Sequence, residues 1–340
     1  MQTSTLKESK ETSAGAQSLP STMEAAVFAE PGKIEVQEVA IPQPAEDEIL
    51  VKLEGCGVCA SNIPNYEGRD WFNYPMEAGA PGHEGWGVVV KTGRRVTKFK
   101  TGERVAMLSY KAYAAYDVAK EEAAMKLDDK LAGKPFPGEP LGCAINIFNR
   151  SDIESGQTVA IVGIGFLGAL LTQLCKDRGA KVIAISRRDY SLEVAKSCGA
   201  DHTVPLHDHW EIIKEVKKIT SEELCDRVIE CTGKEWPLNL SGELLKNRGK
   251  LIIAGFHQDG MRSVNIQQWN WKGLDVINAH EREQEKYMEG MREAAGAVAE
   301  GRMNPEPLYT HQFSLDETQK AFEHITQRPD GFLKALITFS

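Results

Sequence analysis

The 340-residue sequence has no apolar run approaching the ~20 residues that a bilayer-spanning helix needs. Its first stretch, MQTSTLKESKETSAGAQSLPST, lacks the apolar core of a secretory signal. It contains Glu8 and Glu11 and no Arg, unlike a transit peptide. Its polar composition reads as a disordered tail over 1–22. A basic excess is also missing: 40 Lys+Arg stand against 49 Asp+Glu, a net charge of −9. That balance argues against nucleic acid or a membrane surface as partner. Cysteines number seven, too few for a disulfide scaffold at this length and odd in count. They read as reduced thiols in a cytoplasmic protein, most of them small core residues.

What is present is enough apolar residue, 41%, to bury substantial cores. At ~100–200 residues per domain, the length predicts two domains or one large one. Two rhythms divide the chain. From 23 to about 140, short alternating runs are broken by Gly and Pro. Ile34, Val36 and Val39 predict one half-buried strand, and Ile49, Val51 and Leu53 another. This part reads as a mostly antiparallel β domain. From about 151, apolar strands such as TVAIVGIG, KVIAIS, DRVIECTG and GKLIIAGF alternate with helical segments. Alternation of that kind predicts βαβ units and a parallel sheet covered on both faces. The fold class is therefore α/β.

Gly163-Ile164-Gly165-Phe166-Leu167-Gly168 fits G-x-G-x-x-G between a predicted strand and a helix. In that context the first glycine makes a tight turn and the second lets backbone approach a pyrophosphate. The third lets helix and strand pack closely. Strand KVIAI then runs into Ser186-Arg187-Arg188, where an NAD-dependent chain would carry a carboxylate. Two guanidinium groups suit a 2′-phosphate, so NADP(H) is favoured over NAD(H). Cys231, Gly255-Phe256 and Asn278 follow later strands, at the sheet edge where the nicotinamide half would lie.

In the β domain, Cys59 and Ser61 follow a strand, His83-Glu84 sit in G-H-E-G-W-G, and Glu139 opens E-P-L-G-C, which ends at Cys143. Thiolate, imidazole and carboxylate together are the donor set of a catalytic zinc site. Cys56 and Cys59 form a C-x-x-C, but no second pair exists for a four-thiolate site, and Cys56 reads as a packed strand residue.

The order G-x-C-x-S, G-H-E-G-x-G, E-P-L and a Rossmann loop resembles the medium-chain dehydrogenase/reductase family, and within it the zinc-dependent sorbitol and threonine dehydrogenase types. The resemblance covers roughly residues 23–340. It implies a GroES-like catalytic domain (23–145 and 283–340) and a Rossmann coenzyme domain (146–282). It implies Cys59, His83, Glu84 and Glu139 as zinc ligands, with Glu139 ranked above Cys143. Ser61 becomes the proton-passing hydroxyl, and Lys334 a basic residue near the coenzyme pyrophosphate. The implied activity is oxidation of a secondary alcohol or polyol, or reduction of its ketone, by hydride exchange with the coenzyme. A homodimer or homotetramer is also implied. Three departures stand out. Asn62 replaces the usual Asp, which should weaken support of the ligand histidine. No relay His follows Ser61. The four-cysteine structural zinc lobe is absent, so one zinc per chain is expected. Two other readings remain: a zinc-free quinone or enoyl reductase, and a non-catalytic coenzyme-binding protein. The intact donor set argues against both.

Overall fold

A computed structural model describes residues 19–339. The predicted tail lies outside these residues up to position 18, and the first strand begins at Thr22. Strands β1 (Thr22–Glu30) and β2 (Lys33–Ala40) form an antiparallel ribbon. Next come β3 (Glu48–Gly57), the short helix α1 (Ile63–Glu67), β4 (Gly85–Thr92), β5 (Arg104–Met107), β6 (Tyr116–Lys120) and β7 (Ala124–Lys126). Helix α2 (Gly138–Ser151) leads out of this lobe.

The next stretch alternates strand and helix. It contains β8 (Thr158–Val162), α3 (Phe166–Asp177), β9 (Lys181–Ser186), α4 (Asp189–Ser197), β10 (His202–Pro205) and α5 (His209–Ile219). It continues through β11 (Cys225–Glu230), α6 (Glu235–Glu243), β12 (Leu245–Ile253), α7 (Ile266–Lys272) and β13 (Asp275–Asn278). The six strands form one parallel sheet in the order β10-β9-β8-β11-β12-β13. The order turns back between β8 and β11, the place where such sheets open a ligand crevice. Val159–Val162 and Val182–Ile185 are fully buried, because helices cover both faces.

The chain then forms α8 (Gln284–Ala299), β14 (Tyr309–Phe313), α9 (Thr318–Gln327) and β15 (Lys334–Thr338). Strand β15 pairs antiparallel with β3, Leu336 opposite Gly57, while β14 flanks β15 in parallel. Chain segments some 280 residues apart thus share one seven-stranded sheet, β14-β15-β3-β4-β5-β7 with β6 on β3. Strand β3 departs from simple alternation: Leu50 is as buried as Ile49 and Val51. Its far face is covered by Ile41 and Tyr116, so both sides of the strand at that point are dry. Among the described residues, no helix is long and apolar enough to cross a membrane.

Candidate metal and coenzyme sites

Sheet register brings the metal-type residues together. Cys56 pairs with Gly85 across β3 and β4, so the two chains leave the sheet side by side, with Cys59 just past one end and His83 and Glu84 at the other. The Gly57 amide donates to the Glu84 carbonyl at 3.2 Å, and the Val58 amide donates to the Ala335 carbonyl at 2.9 Å. Because Leu336 faces Gly57, β15 delivers Lys334 beside Cys59. Donor atoms of Cys59, His83 and Glu84 all lie within 4.8 Å of one another. Gly57 has a steric reason to be glycine: a Cβ there would overlap the Glu84 carboxylate.

His83 Nδ1–H donates to the Pro81 carbonyl at 2.9 Å, since a carbonyl can only accept. That bond leaves Nε2 with its lone pair for a metal ion. The weakened support expected from Asn62 is therefore answered by backbone. Asn62 is buried and its Oδ1 accepts from the Tyr113 hydroxyl at 3.0 Å. Ser61 Oγ donates to Cys59 Sγ at 3.1 Å, so the predicted relay hydroxyl touches the predicted thiolate ligand.

Glu84 is completely buried and clamped by Lys334 Nζ, at 2.7 Å from Oε1 and 2.6 Å from Oε2. Burial works against charge on Lys334, but Glu84 and Cys59 outweigh it and raise its pKa. The same contest occurs at His83. Burial opposes the imidazolium, yet the hydrogen bond and charge of Cys59, with Glu139 and Glu84, push it up to about 10. An anion-rich pocket that draws a proton onto imidazole has the electrostatics to hold a divalent cation. With one thiolate, one imidazole and one carboxylate in reach, these residues fit a zinc ion. Glu139 stands outside this tight cluster. It sits in the first turn of α2, where burial raises its pKa, and its Oε1 accepts from Cys143 Sγ at 3.2 Å. Its charge still reaches His83 and Glu84.

The glycine loop lies between β8 and α3. Gly163 has φ +101°, and a Cβ on Gly168 would overlap the Gly163 carbonyl, so strand and helix pack as the motif predicts. Gly165 faces open space, with nothing within 4 Å of a hypothetical Cβ, and caps α3 without a side-chain acceptor. The first amides of α3 are thus free for an anion. Cys231 abuts this loop, and its amide donates to Val162 at 2.8 Å. Phe166, the first residue of α3, has the Lys334 ammonium 5.1 Å from its ring centroid and stacks on Tyr309 at 5.7 Å. Lys334 therefore links the metal-type cluster to the loop's edge. Leu167 follows on the same helix.

Ser186 is buried at the end of β9, Arg187 is exposed and Arg188 is half-buried. Gly255 is packed against Gly233 and the Glu230 carboxylate. Phe256 and Asn278 have exposed side chains at the carboxyl ends of β12 and β13. Sequence reasoning passed over Glu230, the last residue of β11. It is fully buried, accepts from the amides of Thr232 (2.6 Å) and Gly233 (2.9 Å), and accepts from His257 Nε2 at 2.8 Å. A carboxylate closing an apolar strand was the available signal. Trp269 is buried in the core of the parallel-sheet lobe, and Trp271 is exposed.

A parallel sheet with a glycine loop, joined to a β lobe with a thiolate–imidazole–carboxylate cluster, is the build of a two-lobe dehydrogenase. Comparison with known proteins agrees. The alcohol dehydrogenase GroES-like domain model matches residues 45–147. The zinc-binding dehydrogenase model matches residues 167–296. The sorbitol dehydrogenase of Bacillus subtilis is 26% identical, over 94% of this chain and 98% of its own. The D-arabitol-phosphate dehydrogenase of Enterococcus avium is 27% identical, over 85% and 90%. Among solved structures, a zinc-binding dehydrogenase of Sinorhizobium meliloti bound to NADP superposes with TM-score 0.80. It is 26% identical and covers 94% of this chain and 100% of its own. The chain belongs to the zinc-type medium-chain dehydrogenase/reductase family.

Proposed function

We propose that this chain is a zinc-dependent, NADP(H)-linked oxidoreductase interconverting a secondary alcohol or polyol and its carbonyl form. One observation carries the reading: half-buried Cys59 and His83 and fully buried Glu84 present three ligand atoms within 4.8 Å of one another. Alcohol and polyol dehydrogenases among the relatives support the substrate class. Glu139, in the first turn of α2, is the candidate fourth or exchanging ligand. A zinc ion there supplies Lewis acidity toward the substrate oxygen, and the coenzyme supplies hydride chemistry.

The chain's own residues do the rest. The Pro81 carbonyl fixes the His83 tautomer so that Nε2 faces the site. Lys334 neutralises Glu84 and sets how much negative charge the pocket keeps. Ser61 Oγ is placed to accept the alcohol proton and pass it outward, since no relay histidine follows. Gly163, Gly165 and Gly168, with Phe166 and Leu167, shape the pyrophosphate cradle. Ser186, Arg187 and Arg188 take the adenosine ribose end; Cys231, Gly255, Phe256 and Asn278 border the nicotinamide half.

The catalytic lobe in this reading is 23–145 with 283–340, and the coenzyme lobe is 146–282. One catalytic zinc and no structural zinc belong to each chain. Exposed Trp271 beside the edge strand β13 supports a homodimer or homotetramer. Metal analysis of protein purified without chelator tests the reading, with about one zinc per chain expected. Zinc near zero in enzyme that still turns over would overturn it. A screen of secondary alcohols and polyols with NADP+ and NAD+ then tests substrate class and coenzyme.

A further inference from the structure

Strand β9 ends at Ser186 on the carboxyl edge of the sheet, where the adenosine ribose of a dinucleotide lies in such folds. The two arginines that follow do not stand alone. Arg188 Nη1 donates to the carbonyl of Phe332 at 2.6 Å. Phe332 belongs to the turn between α9 and β15, in the other lobe. That turn opens on Arg328, which closes α9 in a left-handed conformation (φ +49°), its amide donating to His324 at 2.7 Å. The Arg328 side chain uses only Nε in a bond, a long one of 3.4 Å to Ile325, so its two terminal nitrogens have no hydrogen-bond partner among the described residues.

Arg188 thus binds the turn that Arg328 opens, and Arg328 is near enough to Arg187 and Arg188 for their like charges to act on one another. None of the three takes part in an ion pair within 4.0 Å among the described residues. Asp189 and Tyr190 follow directly in sequence, and Asp330 lies in the turn; the Asp330 charge favours protonated Arg188. These do not cancel the excess. Partial burial, then the Arg328 charge, lowers the Arg188 pKa; partial burial, then Arg187, lowers that of Arg328. Guanidinium stays charged regardless, so the cluster keeps its positive field and calls for a multiply charged anion.

Resting on the NADP(H) reading above, we propose that Arg328 is a specificity-determining residue for the coenzyme. With Arg187 and Arg188 it holds the 2′-phosphate. Because Arg328 comes from the lobe that carries the metal-type cluster, the phosphate also ties the two lobes together. Arg328 is invisible to a sequence fingerprint: it lies 140 residues beyond the βα turn that it completes.

The test titrates intact enzyme with NADPH and with NADH, following coenzyme fluorescence, for wild type, Arg328→Gln and Arg328→Lys. Loss of a charge-assisted phosphate contact should raise the NADPH Kd of Arg328→Gln about ten-fold or more. NADH affinity should change less than about two-fold, since NADH has no 2′-phosphate for Arg328 to meet. Arg328→Lys should fall between the two, and the difference should shrink with added salt. NADH binding by each variant shows that it is folded. Equal weakening of both coenzymes, or no change in either, overturns the role of Arg328 while leaving the NADP(H) reading standing. A wild type that binds NADH more tightly overturns both.

Discussion

The metal-type cluster and the coenzyme loop are built on opposite plans. The loop is made of backbone: Gly163, Gly165 and Gly168 shape it, and the bare start of α3 supplies its donors. The cluster is made of polar side chains, half-buried Cys59 and His83 with buried Glu84 and Lys334, from segments up to 275 residues apart in a 340-residue chain. A backbone site depends on few atoms that substitution can remove. A side-chain site depends on every charge being answered, because an unpaired buried ion is costly.

The difference can be broken most sharply at Cys59. Removing the thiolate in Cys59→Ala should lower kcat by about a thousand-fold or more, with NADPH affinity unchanged, because metal Lewis acidity is worth several kcal/mol. Steady-state kinetics beside a coenzyme titration reads both, and near-normal turnover would refute the cluster as the reaction centre. Lys334→Met comes next. It leaves Glu84 buried without a counter-ion, which should cost ~3–5 kcal/mol of unfolding free energy in urea melts. If stability barely moves, Glu84 is answered by something other than Lys334.

The glycines then separate packing from binding. Gly168→Ala drives a methyl into the Gly163 carbonyl and should destabilise by ~1–3 kcal/mol. Gly165→Ala meets no protein atom, so its melt should match wild type while NADPH binding weakens about ten-fold through lost approach to the pyrophosphate. A destabilised Gly165→Ala with normal coenzyme affinity would show the open space to be a packing defect. The smallest effect is expected at Asn62→Asp. The buried residue already serves Tyr113, and Pro81 already holds His83, so kcat should change by less than the ~10-fold typical of lost ligand support.

How legible each part was follows from the same difference. The loop could be read in six consecutive residues, because a tight turn and a close helix–strand contact demand glycine locally. Strand β9 running into two arginines was equally local. Cys59, His83, Glu84 and Glu139 were legible only as an ordered set of short motifs, through family resemblance. Nothing in spacing alone says that Cys59 meets His83 across β3 and β4, or that Glu139 stands one step back with Cys143. Lys334 was expected at the pyrophosphate. The β15–β3 register places it between Glu84, which it pairs, and Phe166 at the start of α3. Glu230 and Arg328 went unread: one ends an apolar strand, and the other looks like a solvated helix terminus.

By itself the sequence determined the α/β plan and the glycine loop, while the metal-type donors could be named only through family resemblance. The plan and the loop rest on periodicity and on turn geometry, both of which act over a few neighbours. Closure of the β3–β4–β15 sheet decided which donors stand within 4.8 Å and which carboxylate is neutralised by lysine. Packing of the α9–β15 turn against the end of β9 decided that Arg188 binds the Phe332 carbonyl of the other lobe. Both depend on Coulomb and hydrogen-bond terms between residues far apart in the chain. Such terms exist only once the hydrophobic cores have brought those segments together.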